Sequence, residues 1–257
     1  ALTMPGLVNP ESGMVIYTPK YQIRNLALAK LLENHFNLPC YVGNDTRSLA
    51  LAEHFFGESR DCMDSILVSV HQGAGSGIIT KGKVFLGQNR NVGEIGHIQV
   101  EPLGKRCHCG NFGCLETIAS NEAIVDKVKE LISRGHLSSL QEKHITIQEV
   151  CKAAMAGDEL ARSVIENVGE HLGRAVAITV NLFNPQKVLI AGEITAAEEI
   201  LFPAIRRCVE HQSLPSFHRG LPIVKARFQN QPTIGGFALV KRSLLEGDLL
   251  QIIMEQK

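Results

Sequence analysis

The sequence predicts an α/β fold, and three observations carry that prediction. Short apolar runs of strand length, Ser65–Val70 (SILVSV) and Lys187–Ile194 (KVLIAGEI), alternate with helical stretches. Turn and cap signals such as Gly43-Asn44-Asp45 and Asn184-Pro185 separate one kind of stretch from the other. The chain has 257 residues, 44% apolar and 20% charged, enough for one large domain or two modest ones with a real core.

The elements follow in order. The first residues read as a strand entering a turn at Pro5-Gly6; there is no initiator Met, and a domain rarely starts at such a strand, so an upstream segment is expected. Residues 21–36 read as a helix with Leu28, Leu31, Leu32 and Phe36 on one face. A short strand, Cys40–Val42, leads to Asp45, which is placed to cap a helix from Arg47 to Phe56. Asp45 also stands where α/β folds put catalytic groups, at the carboxyl end of a strand. Ser65–Val70 is a buried strand, and Gly77–Gly87 is a hairpin turning at Lys81-Gly82. Helices are expected over Leu115–Leu131, Thr146–Ala156 and Glu159 to about Phe183, the last stopped by Asn184-Pro185. Then come strand Lys187–Ile194, helix Ala196–Gln212, a strand over 222–228 and helix Ile234–Leu245. An amphipathic tail, Asp248–Glu255, offers Leu249, Leu250 and Ile253 either for docking or for packing on the preceding helix.

Composition narrows the function. Lys+Arg and Asp+Glu both number 26, so the basic bias of a surface that grips a phosphate backbone is missing. No apolar run reaches the roughly 18 residues of a membrane span, and the start carries no basic signal-peptide region. Seven cysteines, three of them clustered, point to metal binding in a reducing cytoplasm rather than to a disulfide framework.

That cluster is the strongest chemical signal. In GEIGHIQVEPLGKRCHCGNFGC, Gly93 to Cys114, the residues His97, Cys107, Cys109 and Cys114 supply one imidazole and three thiolates, which fill a tetrahedral Zn²⁺ shell. Gly104, Gly110 and Gly113 permit the turns that bring them together. A closed shell leaves no position for water, so the metal is expected to be structural. His108, between two ligands, is expected at the surface, because a chelate through adjacent residues is cramped. Glu94 and Glu116 bracket the cluster. They either solvate their loops or accept paired hydrogen bonds from the vicinal hydroxyls of a sugar.

Taken together these residues resemble the ROK family (repressors, open reading frames and kinases). The run from Gly93 through Cys114-Leu115-Glu116 is similar to the family signature. Pro5-Gly6-Leu7-Val8-Asn9, Gly43-Asn44-Asp45, Gly73-Ala74-Gly75-Ser76-Gly77 and Asn184-Pro185 stand in the family's order. The resemblance implies an actin-like ATPase (ribonuclease H-like) fold of two α/β lobes. Residues 1–44 with 232–257 would form the smaller lobe, incomplete at its N-terminus, and 45–231 the larger lobe with the zinc-binding loop. It implies zinc on His97, Cys107, Cys109 and Cys114, and sugar hydroxyls on Asn44, Asp45, Glu94, His97 and Glu116, with His97 serving both. It implies a homodimer or higher oligomer, and an upstream helix-turn-helix domain that meets operator DNA.

The family holds kinases and repressors, and departures from the kinase pattern decide between them. Asp45 stands at the position of the kinase base. The first phosphate loop, which precedes the Pro-Gly turn in the family, is absent. The second reads Gly73-Ala74-Gly75, without a hydroxyl for a γ-phosphate; such a loop also serves as a tight hairpin entry. The nucleotide-side loop reads Ala191-Gly192-Glu193 and carries a negative charge. The expectation is therefore a non-enzymatic effector-binding domain of a repressor, and the resemblance further implies that it controls amino-sugar genes and is induced by N-acetylglucosamine 6-phosphate. The alternatives are a fragment of a kinase for N-acetylhexosamine or glucose, and a regulator that binds a phosphotransferase-system protein. Arg47, with Gly75, is the candidate for the 6-phosphate; its alternative is a solvated helix residue.

Overall fold

A computed structural model describes residues 1–18, 21–88, 91–140, 144–229 and 231–255, with side chains of 252, 253 and 255 outside the description. Two compact units are found, Ala1–Leu67 with Ser76–Gly93 and Asn230–Lys257, and Val68–Gly75 with Glu94–Gln229.

In the first unit, β1 (Leu2–Met4) pairs in parallel with β5 (Val42–Asn44), Met4 lying opposite Asn44. β2 (Leu7–Asn9), β3 (Met14–Thr18) and β4 (Ile23–Leu26) form an antiparallel sheet. The helix expected over 21–36 is thus corrected. Only α1 (Leu28–Phe36) is helical, because Ile23–Leu26 pairs with β3 and sends Ile23 and Leu26 onto a core of Met4, Val8, Val15, Ala29 and Val42. Gln22 and Asn25 take left-handed φ values of 53° and 51°, which a continuous helix forbids. β5 runs two residues later than expected, since pairing with β1 fixes its extent.

α2 (Asp45–Phe56) packs on α9 (Pro232–Glu246). The hairpin of β7 (Ala74–Thr80) and β8 (Lys83–Val84) turns at Lys81-Gly82, as the sequence indicated, both residues at positive φ. The tail forms α10 (Asp248–Glu255), which lies against α9 yet leaves Leu250 and Met254 exposed. The Ile253 side chain lies outside the described residues.

The chain passes into the second unit along β6 (Ser65–Val70), buried throughout. β6 is followed across the sheet by β9 (Lys187–Ala191) and β10 (Ile223–Lys225), in the order β10-β9-β6, with Ile223 opposite Val188. The single helix expected over Leu115–Leu131 is two, α3 (Glu116–Ala119) and α4 (Asn121–Ser133). Ser120 breaks it: its backbone is extended, and its hydroxyl accepts the Ala123 N–H as the cap of α4. α5 (Ile147–Met155) starts on a capping box of Thr146 and Glu149. α6 (Glu159–Phe183) ends at Asn184, which is left-handed. It packs along α7 (Glu198–Gln212), with the short α8 (Pro215–His218) after it. β9 stops at Ala191, three residues before the expected Ile194. The Gly192 N–H bonds the Gln229 side chain at 2.9 Å instead of a strand, and a 3-10 turn over Glu193–Ala197 follows. Among the described residues, no helix is long and apolar enough to cross a membrane.

Candidate metal and ligand site

Backbone hydrogen bonds shape the cysteine loop, over buried Val100, Cys107, Cys114 and Leu115. A 3-10 turn, Ile95–His97, presents His97. The chain then runs out and back, with Val100 and Glu101 N–H groups both on the Gly113 carbonyl, the Cys107 N–H on Asn111 at 2.7 Å, and the Gly113 N–H on Lys105 at 2.8 Å. Gly113 is required here. Its φ is +64°, and a Cβ would stand 1.6 Å from the Glu101 carbonyl oxygen. Leu115 N–H on Ile98 closes the loop onto the start of α3.

The result brings His97, Cys107, Cys109 and Cys114 together, one donor atom from each, all within 4.8 Å of one another. Cys109 Sγ lies 3.7 Å from Cys114 Sγ, and Cys107 Sγ lies 3.7 Å from His97 Nδ1. Tetrahedral zinc demands about 3.8 Å between sulfurs and about 3.6 Å from sulfur to nitrogen, given its bond lengths. The residues fit that cation. Burial pushes the Cys114 thiol up to about 12. The Asn111 backbone N–H, with help from the neighbouring thiols, holds the Cys109 thiol below its ordinary value. Neighbouring sulfurs that must ionise together ask for a positive charge among them.

Two carboxylates belong to the same unit. Glu94 begins the turn that carries His97; it is exposed, and its carbonyl accepts the His97 N–H at 3.1 Å. Glu116 opens α3. Its Oε2 accepts the Ala74 N–H at 3.2 Å, and its Oε1 lies 3.1 Å from His108 Nδ1. His97 directs Nδ1 toward Cys107, leaving Nε2 for another partner. His108, expected at the surface, is indeed 66% exposed at its side chain, but it is engaged with Glu116.

Sequence reasoning missed a second polar group. Glu193 Oε2 lies 2.7 Å from His71 Nδ1 and accepts from Asn121 Nδ2 at 2.9 Å. Burial raises the Glu193 carboxyl, but the bonds from Asn121, its own backbone and His71 outweigh it and hold the group below its ordinary value. No spacing rule links positions 71, 121 and 193; the only signal was a carboxylate in a glycine context.

In the first unit, the junction of β5 and α2 is more self-contained than expected. The cap of α2 is Asn44, not Asp45. Asn44 is extended and its Oδ1 accepts the Arg47 N–H, while Asp45 is already helical. The Asn44 amide also donates to the Gly6 carbonyl at 3.1 Å. Asp45 is exposed and accepts its neighbour Thr46 N–H at 2.7 Å. Arg47 is 6% exposed, with Nε donating to the Val92 carbonyl at 3.2 Å and a terminal nitrogen 3.5 Å from Asn91 Oδ1. Its N–H is taken by the cap, so that group of the helix start is not open to an anion. Gly75 lies in β7, in the second unit.

The description "ROK family" matches residues 1–243. The DNA-binding transcriptional dual regulator NagC of Escherichia coli K12 is 56% identical over 255 residues, 99% of this chain and 63% of its own length. A solved ROK family transcriptional regulator, a homologue of the E. coli MLC protein, is 49% identical over 98% of this chain and 64% of its own, with a TM-score of 0.95. A solved ROK family glucokinase of Streptomyces griseus, in complex with glucose and AMPPNP, is 25% identical over 93% of this chain and 79% of its own, with a TM-score of 0.79. The chain thus spans about two thirds of the length of the regulators it matches.

Proposed function

The chain belongs to the ROK family and has its actin-like fold, and we propose that it is the effector-binding and oligomerisation region of a transcriptional repressor of amino-sugar genes. The observation that carries this reading is its 56% identity to NagC along 99% of its length, against 25% to the glucokinase. The inducer in this reading is N-acetylglucosamine 6-phosphate. Operator DNA is met by a helix-turn-helix domain outside these 257 residues, as the family resemblance implies.

The loops support a binding role over a catalytic one. Ala74 has no hydroxyl to offer a phosphate, and its N–H goes to Glu116. Glu193 brings a carboxylate, held ionised by His71 and Asn121, to the loop that follows β9. An anionic nucleotide meets repulsion from it.

Zinc is the proposed cation, held by His97, Cys107, Cys109 and Cys114. When bound it supplies no chemistry beyond positive charge and cross-linking of the loop. The chain's own groups do the recognition. Glu94 and Glu116 accept sugar hydroxyls, and His97 presents Nε2 while Nδ1 faces the thiols. Asn44 and Asp45 are proposed sugar contacts on the strength of the family motif. Of the two, Asp45 has the accessible carboxylate, while Asn44 is largely committed to its cap and to Gly6.

Calorimetry with N-acetylglucosamine 6-phosphate, N-acetylglucosamine, glucose and ATP tests the reading. Binding of the sugar phosphate without ATP binding is expected. ATP binding would restore the kinase reading. Binding of no sugar, with capture of a phosphotransferase protein, would favour a protein-sensing regulator instead.

A further inference from the structure

We propose that His108 and the Gly73-Ala74 loop are positioning groups that clamp the Glu116 carboxylate, so that the metal loop acts on the sugar site through His108 as well as through His97. The inference rests on the reading of Glu116 as a sugar-binding group.

The clamp has three sides. His108 Nδ1 stands 3.1 Å from Glu116 Oε1. The Ala74 N–H donates to Oε2 at 3.2 Å. Gly73 completes it, because a Cβ there would stand 2.5 Å from Oε2, so only glycine lets the carboxylate lie so close to that loop. A carboxylate held at both oxygens loses rotational freedom before any ligand arrives, and its unused lone pairs keep a fixed direction.

His108 is itself held by the metal loop. It lies between Cys107 and Cys109, and its ring meets the His97 ring edge-on with centroids 5.3 Å apart. Its contact with Cys107 Sγ, at 3.9 Å, is longer than the one with Glu116, so the carboxylate is the better acceptor for an Nδ1–H. A carboxylate only accepts, so the short contact puts a proton on His108 Nδ1. The glycine loop, whose counterpart in kinases is a phosphate loop, here spends an N–H on the protein's own carboxylate.

Three variants of the 257-residue chain, His108→Ala, Glu116→Ala and the double substitution, test the clamp by two independent measurements. Without sugar, and at alkaline pH so that the neutral imidazole is read, ¹⁵N NMR is expected to show the Nδ1–H tautomer of His108 in the wild type and the ordinary Nε2–H tautomer in Glu116→Ala; an unchanged tautomer overturns the proposal. With N-acetylglucosamine 6-phosphate, His108→Ala is expected to keep its metal, about one ion per chain, and to raise Kd about tenfold. In the Glu116→Ala background the same change is expected to alter Kd less than about twofold. Loss of the metal from His108→Ala, or a full tenfold effect in both backgrounds, overturns it. Gly73→Ala is expected to weaken sugar binding with metal retained. If the wild type binds no sugar, the functional reading fails, and the tautomer still decides the clamp.

Discussion

The cysteine loop of the second unit and the β5–α2 junction of the first both look like sites in sequence, and they differ in how their polar groups are satisfied. At the junction the fold uses nearly everything. Asn44 caps α2 and holds Gly6, Arg47 reaches Val92, and only Asp45 keeps an exposed carboxylate beside its bond to Thr46. In the loop the reverse holds. Three sulfurs and an imidazole converge within 4.8 Å, and their mutual spacing suits a cation better than it suits hydrogen bonds. Polar residues satisfied by backbone speak for architecture, whereas donors that converge on one point speak for a ligand.

The largest expected effect breaks the loop without touching a ligand atom. Gly113→Ala puts a Cβ against the Glu101 carbonyl at positive φ, so the loop cannot close. Loss of metal and a destabilisation on the order of 3 kcal/mol are expected, read by elemental analysis and urea unfolding. Retained metal would mean that the convergence does not depend on this backbone path.

Acid is the next lever. Burial raises the metal-free Cys114 thiol to about 12, so at every pH below that value a cation must displace its proton. Apparent metal affinity is therefore expected to fall with pH, about tenfold per unit for each thiol proton displaced. Competition with a chromophoric chelator across a pH series checks this. A flat profile would contradict thiolate ligation.

Arg47→Ala probes the junction. With the guanidinium tied to Val92, a loss of about 2 kcal/mol of stability is expected, and equal weakening of sugar and sugar phosphate binding. A loss confined to the phosphorylated sugar would return Arg47 to a phosphate-binding role. The smallest effects sharpen the contrast between neighbours. Asn44→Ala removes a cap and a bond to Gly6 and is expected to cost about 1–2 kcal/mol of stability. Asp45→Asn is expected to change stability by less than about 0.5 kcal/mol while weakening sugar binding at least about tenfold. Equal stability losses in the two would erase the distinction drawn between them.

The convergence of His97 with the three cysteines was legible because its information is local: four donor residues and three glycines lie within eighteen positions. The long helix α6 and the strand β6 were legible because apolar patterning and strong stop signals agreed, and β9 was legible except at its end, where the Gly192 N–H turns to Gln229. The sheet of β2, β3 and β4 was not. Leu28, Leu31 and Leu32 have helical spacing, and that pattern was extended backward over residues whose strand character comes only from pairing with β3. The break at Ser120 was a cap hidden inside an apolar period. The contacts of Glu193 with His71 and Asn121, and of Glu116 with Ala74, join residues distant in sequence, and only the fold brings them together.

The central claim is that the cysteine loop's metal holds the carboxylates and imidazole that recognise sugar. Cys109→Ser tests it most directly, because Cys109 is exposed and its change disturbs no core. Metal content and calorimetric binding of N-acetylglucosamine 6-phosphate are measured on the same preparation. The account predicts that both are lost together. A variant without metal that binds the sugar with wild-type affinity would contradict it.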